Sequence, residues 1–204
     1  MRPPRSVGCR LPGPGALRWL ALLSALLARP AGAVEFERLE VTQAASGFRV
    51  EASLLLDAPR EAVLATLLDY EGQVRVAPFI RSVKILGATP EGSTLVRLVT
   101  EICIGPFCTD VRQLQLLRFE PPGRLRGIQL RAGSDLASGY TDVEVTAAGS
   151  RTRVRIEAVA RPARRLPSFL PARWILNALR NQARQSGEGL EAMAGKMAAA
   201  SRSR

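Results

Sequence analysis

Hydrophobic and polar residues alternate along residues 48–57, which predicts a half-buried β-strand. Ala58-Pro59 ends the alternation, and apolar residues then recur at helical spacing, which predicts a helix over residues 59–69. Asp57 is the predicted N-cap, because its side chain can accept from the unpaired main-chain N–H groups of the first turn. Residues 34–42 form either a preceding strand or an extended arm. The apolar face of the strand predicted over residues 48–57 holds Phe48, Val50, Ala52, Leu54 and Leu56.

Between residues 80 and 160 the period of the pattern is two, which predicts several short strands. Turn signals such as Pro121-Pro122-Gly123 and Ala148-Gly149 separate the apolar runs. Ile128 and Leu130 are assigned to an inner face, whereas the alternation leaves the inner face of residues 111–119 open. Short strands that each have one apolar face are typical of an antiparallel meander.

The last apolar pattern has helical spacing and predicts a long helix over residues 169–196. Ser168 and Pro171 are suited to its first turn. Gly187 and Gly189 interrupt the pattern, and we expect the helix to bend or weaken near Gly187, because an interior glycine costs about 1 kcal/mol relative to alanine. Residues 198–204 are a predicted frayed basic tail.

This order of elements predicts one α+β domain over residues 34–197. A curved antiparallel sheet of roughly six to seven strands would wrap a long C-terminal helix, and a short helix would follow the first main strand. One helix is too narrow to fill the concave side of such a sheet. The arrangement therefore predicts an apolar cavity between the sheet and the C-terminal helix.

The first 33 residues have the order of features of a secretory signal peptide. A basic start without acidic residues precedes a short apolar run at residues 20–28, and Ala31 and Ala33 provide the small residues of a cleavage site. The apolar run is shorter than the ~20 residues that span a bilayer, although an uncleaved anchor is the alternative. We expect cleavage after Ala33 and export, to the periplasm in a Gram-negative organism and otherwise to the medium.

The basic excess is concentrated after residue 160. Residues 161–204 hold nine basic and two acidic residues, whereas the preceding domain body is close to neutral. We expect this segment to contact an anionic membrane surface rather than nucleic acid, with a solvated helix face as the alternative. The predicted membrane contacts are Arg164, Arg165, Arg173 and Arg180.

The chain contains no histidine, which removes the commonest general base and the commonest metal ligand. No glycine-rich phosphate loop opens a helix, so neither a cofactor nor a metal is predicted. Cys103 and Cys108 flank a predicted hairpin tip, where a disulfide is expected in an oxidising compartment. A redox or metal-binding pair is the alternative for these cysteines.

Two stretches resemble the START-related helix-grip superfamily, which includes polyketide cyclases/dehydrases and lipid transport proteins. Residues 57–63 are similar to the entry into that family's first helix, and residues 68–83, with Asp69-Tyr70 and Ser82-Val83, are similar to its signature. The coenzyme Q-binding branch looks nearest. Many relatives carry a Trp after a Gly where this chain has Gly139-Tyr140. The resemblance implies a cavity for a lipid, isoprenoid, quinone or polyaromatic molecule.

The predicted function is an exported, monomeric binding or carrier protein for a hydrophobic small molecule. A cyclase- or aromatase-type enzyme is one alternative, for which Glu101, Arg112, Tyr140 and Asp142 are the candidate acid–base residues. An accessory domain that binds a membrane or a protein and has a closed cavity is the other. The predicted ligand contacts are aromatic residues and inner-face aliphatic residues. They are Leu67, Phe79, Leu98, Phe119, Ile128, Tyr140, Val143, Ile156, Trp174 and Ala178.

Overall fold

A computed structural model describes residues 34–44, 47–164 and 171–202 of the chain. The predicted signal peptide and the predicted start of the last helix lie outside the described residues. The strands are β1 (Glu35–Ala44), β2 (Gly47–Leu56), β3 (Ile80–Ala88), β4 (Thr94–Ile104), β5 (Phe107–Glu120), β6 (Arg124–Leu130), β7 (Leu136–Ala148) and β8 (Arg151–Pro162). The helices are α1 (Arg60–Leu68), α2 (Gln73–Val76) and α3 (Ala172–Arg202).

The strands form one antiparallel sheet in the order β1-β2-β8-β7-β6-β5-β4-β3. Helices α1 and α2 connect β2 to β3 at the far edge of the sheet. The predicted α+β architecture with a long C-terminal helix is confirmed. The described sheet has eight strands instead of six to seven, because residues 35–44 pair along the whole of β2.

The inner face of β2 is the one that the alternation predicted. Phe48, Leu54 and Leu56 are all buried. The prediction for β6 was wrong, because Ile128 is 59% exposed and lies on the outer face. Gly127 and Gln129 are the buried residues of that strand. A glycine and a polar residue therefore occupy the inner positions of β6, and the apolar Ile128 lies on its outer face.

Helix α3 continues through Gly187 and Gly189 as one helix, and the predicted bend or weakening near Gly187 stays a prediction. A Cβ atom added to Gly189 would lie 1.7 Å from the main-chain oxygen of Val76, and one added to Gly187 would lie 2.7 Å from the ring of Phe36. The two glycines therefore bring α3 into close contact with α2 and β1. The helix ends at Arg202 rather than at Lys196, and Ala198 is buried. Of the described helices, none is long and apolar enough to cross a bilayer.

The main hydrophobic core lies where the C-terminal half of α3 meets α1, α2 and the sheet. Its members include Leu54, Val154, Leu190 and Ala194. At the edge of this core, both carboxylate oxygens of Glu191 accept from the main-chain N–H of Asp57, at 3.1 and 3.0 Å. Burial raises the pKa of this glutamate.

The N-cap of α1 is Pro59, and Asp57 makes no cap hydrogen bond to this helix, so the predicted N-cap was wrong. The side chain of Asp57 instead forms an ion pair with Arg151. The carboxylate is therefore engaged with the neighbouring strand β8 rather than with the first turn of α1.

Candidate functional site

A cavity of about 600 Å³ lies between the sheet and the N-terminal half of α3. This volume is within the range of small-molecule sites, roughly 300–1,000 Å³. The predicted cavity between sheet and helix is thus present. Its apolar lining includes Phe48, Val50, Ile102, Ile104, Val111, Leu136, Ile175 and Leu179.

The cavity exists because small side chains face the helix at this end of the sheet. Ala158, Ala160 and Gly127 occupy lining positions on β8 and β6. A small buried cluster, formed by Phe48, Ile104 and Ile175, connects the helix to the sheet here. At the other end, the close approach at Gly189 lets large side chains fill the space.

Besides its apolar residues, the lining contains a polar strip, a charged rim and two threonines, Thr109 and Thr141. Asp110, Asp135 and Arg164 are exposed and border the cavity. The polar strip consists of Gln113, Gln115, Gln129 and Ser134, which come from β5, β6 and the β6–β7 turn. Gln129 is buried, and the other three side chains of the strip are half-buried.

The glutamines of the strip bond to one another. Gln113 Nε2 donates to Thr100 Oγ1 at 3.1 Å. Gln115 Nε2 donates to Gln113 Oε1 at 2.9 Å and to Gln129 Oε1 at 3.3 Å. Gln129 Nε2 donates to Ser134 Oγ at 2.8 Å and to the main-chain oxygen of Leu114 at 2.9 Å. The strip is therefore held in place by hydrogen bonds within the protein.

Of the ten predicted ligand contacts, only Tyr140 borders the cavity. Its hydroxyl donates to the Glu157 carboxylate. Glu157 lines a shallow polar depression on the outer face of the sheet. This hydrogen bond raises the pKa of Tyr140. Tyr140 is 39% exposed and lies beside Ile128 on that outer face. Its polar group is therefore engaged outside the cavity.

The other predicted contacts lie away from the cavity lining. Leu67, Val143 and Ile156 are members of the main core or pack against it, and Ala178 packs against the smaller cluster. Alternation identifies the face of a strand, but not which end of the strand the helix covers closely. The remaining residues outside the lining are Phe79, Leu98, Phe119, Ile128 and Trp174.

Two groups of lining residues were not among the predicted contacts. Phe48 already belonged to the predicted inner face of β2, and Ile175 and Leu179 fit the helical spacing of α3, so a signal for them was present. The glutamines had no such signal, because a polar residue in a strand is ordinarily assigned to solvent.

The disulfide between Cys103 and Cys108 is confirmed at the tip of the β4–β5 hairpin. The tip lies beside the start of α3, since a Cβ atom added to Gly105 would be 3.4 Å from the Trp174 ring. Trp174 is 39% exposed and Phe107 is 57% exposed. Exposed aromatic rings therefore stand at this end of the molecule.

The predicted membrane contacts lie on different parts of the structure. Arg164 borders the cavity, and Arg173 is exposed next to Trp174 on the first turn of α3. Arg180 is exposed and donates to Asn177 Oδ1 at 3.0 Å and to the main-chain oxygen of Val41 at 3.5 Å. Arg165 lies outside the described residues. Two of the cations thus flank the cavity and the aromatic ring.

No protein-family model and no curated protein matches the chain. Solved structures do match it. The protein TTHA0849 from Thermus thermophilus has a TM-score of 0.61 at 20% identity, over 72% of this chain and 97% of that one. A START superfamily protein from Mycobacterium smegmatis has a TM-score of 0.59 at 15% identity, over 72% and 97%. The Zhui aromatase/cyclase from Streptomyces sp. R1128 has a TM-score of 0.56 at 19% identity, over 76% and 95%.

The chain has the helix-grip fold. Identities at this level show a shared fold, and the function is argued from the site. The assignment to the coenzyme Q-binding branch stays a prediction.

Three of the four candidate acid–base residues of this helix-grip chain, Glu101, Tyr140 and Asp142, are engaged in surface contacts. Glu101 is bonded to Arg81, and Asp142 to Arg124. The hydrogen bond from Arg124 lowers the pKa of Asp142. The side chain of Arg112 is exposed. Among the described residues, no group of three or more acidic or cysteine side chains could hold a metal ion.

Proposed function

We propose that this chain is an exported binding or carrier protein for a hydrophobic small molecule such as a lipid, an isoprenoid or a quinone. The observation that carries the proposal is the cavity of about 600 Å³, which the surrounding side chains leave unfilled. Burial of an apolar ligand against its walls would contribute about 25 cal/mol per Å² of apolar surface removed from water. The similarity to the START superfamily protein from Mycobacterium smegmatis supports the same conclusion.

Exposed residues at the start of α3, together with Arg164 at the cavity rim, support transfer of the ligand at a membrane surface. Trp174 combines an apolar body with a polar N–H, the combination that is enriched at membrane interfaces. Arg164 and Arg173 are exposed nearby, and each cation near an anionic surface adds about 1 kcal/mol of attraction. We propose that the surface formed by Arg164, Arg173 and Trp174 docks on anionic lipid while the ligand enters or leaves.

Native mass spectrometry of the mature protein from its own compartment, followed by organic extraction, tests the carrier function. A retained apolar molecule is the expected result, and its mass would identify the ligand class. A protein that is empty as purified, and that also takes up no member of a panel of lipids and quinones, would contradict the proposal. The same spectra test export, because a mature chain starting at residue 34 is expected and one starting at Met1 is not.

Liposome co-sedimentation tests the docking surface. We expect binding to vesicles that contain anionic phospholipid, weaker binding in high salt, and little binding to zwitterionic vesicles. The double variant Arg173→Gln/Trp174→Ala should bind less, whereas the control Arg155→Gln, on the outer face of β8, should bind as the wild type does. Binding that is indifferent to lipid charge and to salt would argue against docking.

A further inference from the structure

The polar strip on the cavity floor holds a hydrogen-bond acceptor that the protein itself does not satisfy. The side-chain oxygen of Gln115 receives no hydrogen bond from any described residue, whereas its nitrogen donates twice. Gln115 lines the cavity, so this oxygen is placed where a bound molecule would contact the strip.

The orientation of the Gln115 amide follows from its neighbours. Gln129 Nε2 donates to the main-chain oxygen of Leu114, an atom that only accepts, so Gln129 must present its oxygen to Gln115. Gln115 then has to present its nitrogen to Gln129 and to Gln113. Both N–H groups of the Gln115 amide are used in this way, and its oxygen is left for the ligand.

The strip also offers a donor beside this acceptor. Gln113 Nε2 has two N–H groups, and one of them donates to Thr100 Oγ1. A neutral hydroxyl group both donates and accepts, so it complements the two amides. A ligand that covered the Gln115 oxygen with a purely apolar or purely accepting group would remove it from water without replacing the lost hydrogen bond.

Charge argues for a neutral group at this position. The charged residues that border the cavity, Asp110, Asp135 and Arg164, are exposed at its rim. A charged head group on the strip would lose its hydration without gaining an opposite charge. The apolar walls, formed by side chains such as Phe48 and Ile175, suit the rest of the molecule.

We propose that the ligand is an apolar molecule with a neutral hydroxyl group, which donates a hydrogen bond to Gln115 Oε1. This inference rests on the proposed binding function and names the class of ligand that the same cavity selects. It sets alcohols and phenols apart from hydrocarbons, ethers and ionised lipids.

Isothermal titration calorimetry with three probes of similar shape tests the inference on the wild-type protein. Naphthol can donate a hydrogen bond, methoxynaphthalene can only accept one, and ethylnaphthalene can do neither. We expect naphthol to bind about tenfold more tightly than methoxynaphthalene, which corresponds to about 1.4 kcal/mol. Equal affinities for all three probes would overturn the hydroxyl inference and leave the binding function standing. Failure to bind any of them would count against both.

Two variants assign the preference to Gln115. In Gln115→Met the preference for naphthol should disappear, whereas the affinity for ethylnaphthalene, which reports that the cavity is intact, should stay within about threefold of the wild type. The matched control is Gln43→Met, at an exposed position of β1, which should keep the full preference. A preference that survives in Gln115→Met would overturn the role of this residue.

Discussion

Replacing Gly189 by alanine tests whether α3 must lie directly against α2. The added Cβ atom would lie 1.7 Å from the main-chain oxygen of Val76 and 2.7 Å from its carbon, whereas ordinary contact begins at 3.4 Å. Because the obstacle is backbone, it cannot rotate away as a side chain would. The two helices must separate, and overpacking of this kind costs about 1–3 kcal/mol, occasionally more.

Gly195 provides the matched control in the same helix. A Cβ atom there would meet no heavy atom of the described residues within 4 Å, so Gly195→Ala should gain the helix propensity of alanine, about 1 kcal/mol. Gly189→Ala has the same propensity gain, but a backbone clash at 1.7 Å belongs at the upper end of the overpacking range, about 3 kcal/mol, so we expect a net loss of about 2 kcal/mol. At roughly 2–4 °C per kcal/mol for a chain of this size, the two variants should differ in Tm by about 6–12 °C.

Urea unfolding followed by circular dichroism measures the free energies of both variants. The predicted order of stability is Gly195→Ala above the wild type and Gly189→Ala below it. If Gly189→Ala were as stable as Gly195→Ala, the close approach of α3 to α2 would be refuted. The explanation for the open cavity at the other end of the helix would then lose its basis as well.

Three further changes test other parts of the structure. Thr152 donates a buried hydrogen bond of 2.6 Å to a main-chain carbonyl, so Thr152→Val should cost about 1–3 kcal/mol in urea unfolding, and an unchanged midpoint would contradict the contact. The Cys103–Cys108 disulfide closes a short loop, so the double serine variant should lose only about 2 kcal/mol, and a much larger loss would show a wider structural role. Hydrogen bonds from Arg153 and Ser53 lower the pKa of Glu37 from 4.5 to about 2. Because the folded-state pKa is depressed, this stabilisation is complete above pH 4.5 and is lost as the pH falls towards 2. The difference in Tm between the wild type and Glu37→Gln should therefore shrink over that range, and a constant difference would refute the interpretation.

The fold could be predicted from the sequence because most elements carry an unambiguous period. The alternation of β2 gave the correct buried face, and residues 59–69 contain α1. The period misled at β6, where Ile128 is exposed while Gly127 and Gln129 face inward. Gly127 leaves volume for the cavity, and Gln129 forms hydrogen bonds with its neighbours. Because neither residue is hydrophobic, the apolar pattern could not assign them to the inner face.

The location of the cavity along the strands depends on the packing of α3, which the sequence pattern does not reveal. Gly187 and Gly189 looked like weak points of a helix, but they permit the close contact that fills one end of the sheet. Val143 and Ile156 therefore became core residues, although they were predicted to contact a ligand. The glutamine strip could not be found before the pairing of β4, β5 and β6 was known.

The central claim is that the space under α3 holds an apolar ligand, and filling that space tests it most directly. Ala158 and Val50 both line the cavity, so Ala158→Trp alone, and then together with Val50→Trp, should occupy it stepwise. The control is Ala65→Trp, at an exposed position of α1.

The measurement is native mass spectrometry of each protein after incubation with a lipid extract, once circular dichroism has shown that the variants are folded. We expect the wild type and Ala65→Trp to carry an apolar molecule, Ala158→Trp to carry less, and the double variant to carry none. Equal loading of the folded double variant and the wild type would contradict it.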